Sequence, residues 1–380
     1  MDFIVPEEVE NIRKMVRRFV ESEIDPISLE IDKNGCIPGV IIEKMRGLGF
    51  FGLLIPQEYG GLGLSMLEQC LFYEELARTN ACIRTFIGSN NGPGVECIIK
   101  HGTEEQKKKY LPLLARGEKI AAFAVSEADT GSDVSAIRTT AERNGDNFVL
   151  RGTKCFVTMG DVANLLVVLA YTDKNAGLRN GMTAFIVEKN FPGCAVGTID
   201  EKMGLRGSNT CEIVLEDCVV PAANVIGDVG SGFKIAMRGI DAGRLSIAAV
   251  AVGSASKLME LSIEYAKRRE VFGAPISRYQ AIQFKLADMA TDIFAAQNML
   301  YHAAWLMDQG QLAIKESAMT KVFATEMANR VAYEALQIHG GMGYMKELGI
   351  ERMCRDVRVL TIYEGTSEIQ RLTIAQKLLK

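Results

Sequence analysis

Near the end of the chain, IYEGTSEIQRL (362–372) sets one carboxylate, Glu364, directly against a glycine. Gly365 can adopt backbone conformations closed to other residues and lets a neighbouring group approach closely. Thr366 is placed to cap a helix that follows. A carboxylate in such a loop is ordinarily solvated or a helix cap, and the fragment alone favours that state. Under an apolar cover, desolvation would raise its pKa and make it a base that works near neutral pH. A second stretch, KCFVTMG (154–160), places Phe156 two positions before Thr158. On a strand the two share one face, where ring and hydroxyl could together meet a planar ligand. A core aromatic beside a satisfied threonine is the commoner arrangement.

Three further segments carry candidate groups. FAVSEADTGSD (123–133) runs into small and acidic residues, as a tight loop does. RREVFGAPISRYQAIQFKLADMA (268–290) holds Arg269, Phe272 and Gln280 around a Gly/Pro-containing break between helices. LQIHGGMGYMKELGIERMCRD (336–356) has glycines at 340, 341 and 343. The dinucleotide fingerprint needs G-x-G-x-x-G after a strand, and here the preceding residues are helical. A helix C-cap with a close backbone approach is the minimal account.

Composition closes off other chemistries. The nine cysteines include no C-x-x-C pair, and their odd number argues against a disulfide framework. His101, His302 and His339 are scattered, so zinc or other metal sites and Ser-His-Asp chemistry lack clustered partners. The net charge is −4 with both signs spread along the chain, which leaves nucleic acid no basic stripe to bind. Apolar runs such as NLLVVLAY (164–171) fall short of the roughly 20 residues that cross a bilayer, so no membrane insertion is expected. MDFIVPEEVE lacks a basic leader, and a cytoplasmic, bacterial-type chain is expected, with a mature mitochondrial-matrix chain as the alternative.

The elements that must position these groups fall into three blocks. Residues 1–120 read as helical. Pro6, Glu7 and Glu8 open a helix whose Val9, Ile12, Val16, Phe19 and Val20 recur at helical spacing. Further helices run over 38–49, 66–79, 92–100 and 104–116, with PQEYGGLGLS (56–65) as a glycine-rich loop. Residues 121–229 form a β-domain: DNFVLRGTKCFVT, NLLVVLAYT, GMTAFIVEK, CAVGTI and CEIVLEDCVV are closely spaced strands and RNGDN a hairpin turn. No helical pattern separates them, so a small antiparallel barrel or sandwich over about 121–225 is expected. Residues 230–380 return to helices, over 233–269, 278–308, 311–339 and after Thr366, and predict a four-helix bundle able to offer an oligomerisation surface.

In this order and spacing, PQEYGGLGL, SEADTGSD, RREVFGAPI, QIHGGMGY and RDVRVLTIYEGTSEIQ resemble the acyl-CoA dehydrogenase family over essentially the whole chain. The resemblance implies a mainly α fold with a central β-domain: N-terminal helical domain, β-barrel or sandwich, C-terminal four-helix bundle. It also implies FAD between the β-domain and the bundle, and a homotetramer built as a dimer of dimers. By position, Phe123, Val125, Ser126, Phe156 and Thr158 would line the flavin, and Ser132 would contact flavin phosphate and CoA. Arg269, Phe272, Gln280, Gln337 and Gly341 would surround the adenosine and pyrophosphate of FAD, partly across the dimer interface. Thr366 and Glu368 would add flavin contacts. Phe233, Asp241 and Arg244 match CoA-binding positions, and Met159 stands where many relatives carry asparagine.

Glu364 matches the family's base, which removes the α-proton of an acyl-CoA thioester while a β-hydride moves to flavin N5, giving a trans-2-enoyl-CoA. In the family the thioester oxygen is held by this glutamate's own backbone N–H and a flavin ribityl hydroxyl, an oxyanion-hole arrangement. Gly365 would then let the chain approach the thioester. A branched-chain subgroup carries its base in the segment corresponding to DAGR (241–244), where this chain has Gly243. Electrons would leave through an electron-transferring flavoprotein.

Arg84, in NACIRTFIGSNN (80–91), departs from ordinary fatty-acyl members, because an unpaired arginine facing an alkyl tail carries a large desolvation cost. Its spacing to HGTEEQ (101–106) matches the arginine that binds the distal carboxylate in glutaryl-CoA dehydrogenases, and Thr85 matches a neighbouring serine. A bidentate guanidinium–carboxylate pair would anchor a glutaryl or substituted succinyl group. Ala77 replaces a glutamate of those enzymes, and GSN (88–90) replaces their SVQ. An Arg84 that pairs with a local acid or points away instead implies a short-chain, branched or cyclic acyl-CoA dehydrogenase without a distal carboxylate. An oxidase, an elimination (desulfinase) variant and a non-catalytic flavin- or CoA-binding scaffold complete the alternatives.

Overall fold

The computed structural model describes residues 7–379. The helix start expected at Pro6 lies outside the described residues, as does the side chain of Val9. Seven helices form the first block: α1 (Glu7–Phe19), α2 (Ser28–Asn34), α3 (Gly39–Gly47), α4 (Met66–Leu76), α5 (Cys82–Gly88), α6 (Pro93–His101) and α7 (Glu104–Ala115). Local sequence sets several of their starts. Ser65 with Glu68 and Thr103 with Gln106 form reciprocal capping boxes at α4 and α7, and Pro93 opens α6. Glu75 of α4, fully buried, takes Arg13 and Arg17 of α1 at 3.1 and 2.8 Å.

The middle block is one sheet of β1 (Ala121–Ala124), β2 (Thr140–Asn144), β3 (Asn147–Thr158), β4 (Leu165–Tyr171), β5 (Met182–Glu188), β6 (Cys194–Ile199), β7 (Thr210–Pro221) and β8 (Val225–Ile226), with α8 (Gly177–Gly181) before β5. The strand order is β6-β7-β3-β2-β4-β5-β8, and β1 lies beside β4. The expected hairpin joins β2 to β3 from Asn144 and Asn147, with Gly145 at φ 59°. The sheet is not wholly antiparallel, contrary to expectation. β1 and β4 run parallel, as do β2 and β4 where they meet. The β2–β3 hairpin supplies the crossover length that a parallel pair requires, which strand-by-strand patterning does not reveal.

The last block holds α9 (Gly232–Arg268), a two-stranded hairpin of β9 (Glu270–Val271) and β10 (Ala274–Pro275), then α10 (Gln280–Asp308), α11 (Ile314–His339), α12 (Gly341–Tyr344), α13 (Ile350–Arg358) and α14 (Ser367–Leu378). Every residue of α9 from Ala242 to Ala255 is buried, as in a helix surrounded by others on all sides. By length and composition α9 could cross a bilayer, but 67% of its most apolar stretch is buried inside the protein. Gly340 ends α11 at φ 56°. The close approach expected at Gly340 and Gly341 is not made within this chain, since a Cβ at either would meet nothing within 4 Å; Gly343 is the crowded glycine, against His339 and Leu336.

Candidate active site

Between α13 and α14 the chain makes a tight reversal. Glu364 sits at φ 51°, a left-handed conformation uncommon outside glycine, and Gly365 follows at φ 88°. Thr366 then caps α14, its Oγ1 accepting from the Ile369 N–H at 3.3 Å. The carboxylate is not solvated, as the isolated fragment favoured. The residue keeps part of its surface, but Oε2 is sealed and has no hydrogen-bond partner. It rests on bare backbone of α9: a Cβ built at Gly243 would overlap Oε2 and lie 3.0 Å from Cδ. Burial pushes the pKa of Glu364 up, and the charges of Arg84, Lys321 and Arg244 oppose that rise. Among the described residues the Glu364 N–H has no acceptor.

Two side chains that sequence reasoning missed hold this reversal. Lys321 of α11, fully buried, donates from Nζ to the Gly365 carbonyl at 2.8 Å. Gln370 of α14, also fully buried, donates from Nε2 to the same carbonyl at 2.9 Å and to the Glu364 carbonyl at 3.3 Å. A signal for Lys321 was present: it is the one cation on a helical stripe of small residues, Ser317, Ala324 and Ala328, that the fold buries.

Arg84 of α5 is 5% exposed and turned inward. Nη2 donates to Ser246 Oγ on α9, and the guanidinium lies over the Tyr73 ring, 4.9 Å from its centroid. Nε has no partner, and among the described residues no carboxylate forms an ion pair with it. Among the described residues, therefore, Arg84 pairs with no local acid. Gly88, the first residue of the departing GSN, leaves room for it: a Cβ there would stand 3.2 Å from Nη1. Thr85 is buried, and its hydroxyl donates to Ala81 O at 3.2 Å. Ala77 is packed in the helical core, and its carbonyl accepts from Ser254 Oγ at 3.1 Å.

Other expected residues gather at the edge of the sheet. Phe233 at the start of α9 packs against the same buried cluster, which includes Leu169, Tyr171 and Met182, as Phe123 and Val125 do. Arg244 pairs with Asp241 at 2.7 Å. Ser126 is tied to β3 through the Cys155 N–H at 2.9 Å. Beneath this loop Lys154, fully buried, donates to Glu127 Oε1 at 2.8 Å and to Val125 O at 3.1 Å. Phe156 is not a core aromatic. It is 65% exposed, because a bulge between Lys154 and Val157, with Phe156 at φ 57°, turns the ring outward. Met159, also left-handed, is buried in the helical core instead. An uncovered ring near the end of β3, with the Ser126 segment tied to the same strand, fits a flat, partly polar group such as a flavin. Ser132 and Glu368 are exposed.

The remaining residues lie elsewhere. Arg269, Phe272 (98% exposed) and Gln280 follow the far end of α9, and Gln337 and Gly341 adjoin them through the Tyr265–His339 ring contact at 4.5 Å. At 1.5 Å per helical residue, Arg269 lies about 39 Å along α9 from Gly243. The fold does not bring this group to Glu364.

The chain matches three domain descriptions in succession: acyl-CoA dehydrogenase N-terminal domain over residues 6–118, middle domain over 122–218 and C-terminal domain over 230–379. It is 45% identical to a probable acyl-CoA dehydrogenase, YngJ, of Bacillus subtilis, over the full length of both chains. The solved butyryl-CoA dehydrogenase of Megasphaera elsdenii superposes with a TM-score of 0.96 at 38% identity, covering 100% of both chains. A glutaryl-coenzyme A dehydrogenase–glutaryl-CoA complex does so at 0.95 and 36%, covering 100% of this chain and 97% of that one.

Proposed function

Because the chain belongs to the FAD-dependent acyl-CoA dehydrogenase family, we propose that Glu364 is the base with which it converts an acyl-CoA thioester to a trans-2-enoyl-CoA. The observation that carries this reading is the sealed, unpartnered Oε2 of Glu364 resting on Gly243. Burial penalises the charged carboxylate, so accepting the substrate's α-proton relieves that penalty. Arg84, Lys321 and Arg244 oppose premature neutralisation. The Glu364 N–H, without an acceptor of its own, suits the thioester oxygen on which enolate charge develops. When bound, FAD supplies the acceptor for the hydride leaving the β-carbon. Phe123, Val125, Ser126, Phe156, Thr158, Thr366 and Glu368 would hold its flavin end, with Ser132, Phe233, Asp241 and Arg244 toward phosphate and CoA.

The distance along α9 supports a site shared between two chains, in which Arg269, Phe272, Gln280, Gln337 and Gly341 serve the FAD of a partner within a dimer of dimers. An electron-transferring flavoprotein is the proposed electron acceptor. For the acyl group we favour a distal carboxylate, glutaryl or substituted succinyl. Arg84 supports this, since its charge acts on Glu364 while among the described residues no carboxylate pairs with it.

Anaerobic mixing with glutaryl-, benzylsuccinyl- and butyryl-CoA, followed by flavin absorbance, tests both levels. Glu364→Gln should keep its flavin and lose bleaching by every thioester; retained bleaching removes Glu364 as the base. Arg84→Ala should weaken acid-tailed substrates by more than about 100-fold, since removing one partner of a buried charge pair costs about 3–5 kcal/mol. If butyryl-CoA is preferred and Arg84→Ala changes nothing, the acyl group is a plain short chain. Product formed without an added acceptor would instead identify an oxidase or elimination enzyme.

A further inference from the structure

We infer that Lys321 is a positioning residue for Glu364, orienting it through the Gly365 carbonyl and supporting its ionised state; this rests on the reading of Glu364 as the base. Among the described residues Lys321 has no ion-pair partner, and a buried amine without one is costly; holding a carbonyl requires only a neutral donor, which Gln370 already supplies at 2.9 Å. The negative group acting most strongly on Lys321 is Glu364, with weaker effects from Glu326 on its own helix and Glu368 on α14; Arg244 on α9 repels it. Glu364 in turn feels Arg84 from α5 and Arg244 from α9. Lys321 alone among these cations also hydrogen-bonds the reversal that carries the carboxylate. It thereby couples two requirements, the left-handed backbone at 364 and 365 and a charge that favours the carboxylate.

Lys321→Gln keeps a donor without the charge, and Lys321→Met removes both. With flavin content and Tm recorded, kcat/KM is measured against pH using the best thioester. Loss of the charge raises the pKa of Glu364, so the acid limb should move up by about one pH unit in both variants. Lys321→Met should in addition lose more kcat than Lys321→Gln. An acid limb at its wild-type position in a folded, flavin-loaded variant overturns the inference. Should neither variant fold, a third one still tests it. In the charge-keeping variant Lys321→Arg the acid limb should stay at its wild-type position, and a limb moved up by about one pH unit in folded, flavin-loaded Lys321→Arg overturns the inference. Glu364→Gln is assayed alongside: if it remains active, the base itself is misassigned, whereas an inactive Glu364→Gln beside an unshifted Lys321→Gln removes only Lys321.

Discussion

Gly243→Ala separates the position of the base from the integrity of the fold. The three nearest heavy atoms to a Cβ at this position all belong to the Glu364 carboxyl group. The methyl therefore meets the end of a flexible side chain and no rigid backbone. To regain ordinary contact the carboxylate must withdraw by on the order of 1 Å, and a displacement of that size costs about 100-fold in rate, or ~2.7 kcal/mol of activation free energy. Alanine is the better helix former by roughly 0.5–1 kcal/mol, so Tm should hold or rise slightly. Stopped-flow bleaching of the flavin by saturating thioester reads the chemical step directly. Gly243→Ala combined with Glu364→Gln should be no slower than Glu364→Gln alone, because both act on one carboxylate. A folded, flavin-loaded Gly243→Ala enzyme with a bleaching rate within threefold of wild type would refute this geometry.

Two stability effects follow from side chains outside the reaction. Gln106 closes the α7 capping box through Oε1 at 3.0 Å and donates to the Ala223 and Val225 carbonyls, both at 2.8 Å. Gln106→Ala should cost about 2–4 kcal/mol and lower Tm by several degrees in a thermal scan, whereas an unchanged Tm would show that water replaces these bonds. Asp356 is buried, accepts from the Leu205 N–H at 2.6 Å, and has its pKa raised by that burial to about 6. A carboxyl raised in the folded state opposes folding once ionised: the penalty is absent below the unfolded value, grows as pH rises toward 6 and is complete above it. Asp356→Asn should match wild type near pH 4 and be more stable at pH 7.5, by up to about 3 kcal/mol, read as a higher Tm. Parallel Tm–pH curves would exclude this role.

The three blocks and most element positions were readable from the sequence, because helical and strand periodicities are local properties. Helices expected at 233–269 and 278–308 occur at 232–268 and 280–308. What escaped depends on contacts distant in sequence. The sealing of Glu364 needs Gly243, and nothing in the residues around 364 reports on α9. Phe156 is exposed because two left-handed residues and a bulge override the expectation of a buried aromatic. The parallel β1–β4 pairing arises from the path of the chain, which patterning leaves open. Arg84 was singled out as an odd charge, but its companions Tyr73 and Ser246 come from other helices. The roles of individual residues came from the resemblance; the structure adds their distances and burial.

The length of α9 has a genetic corollary. If the groups at its two ends serve different active sites, each chain donates half of two catalytic centres. A subunit carrying Glu364→Gln and one disabled at Arg269 would each be inactive as homodimers. Brought together, they would form a hybrid in which both lesions fall in one centre and the other is whole, so co-expression should restore activity that neither allele has alone.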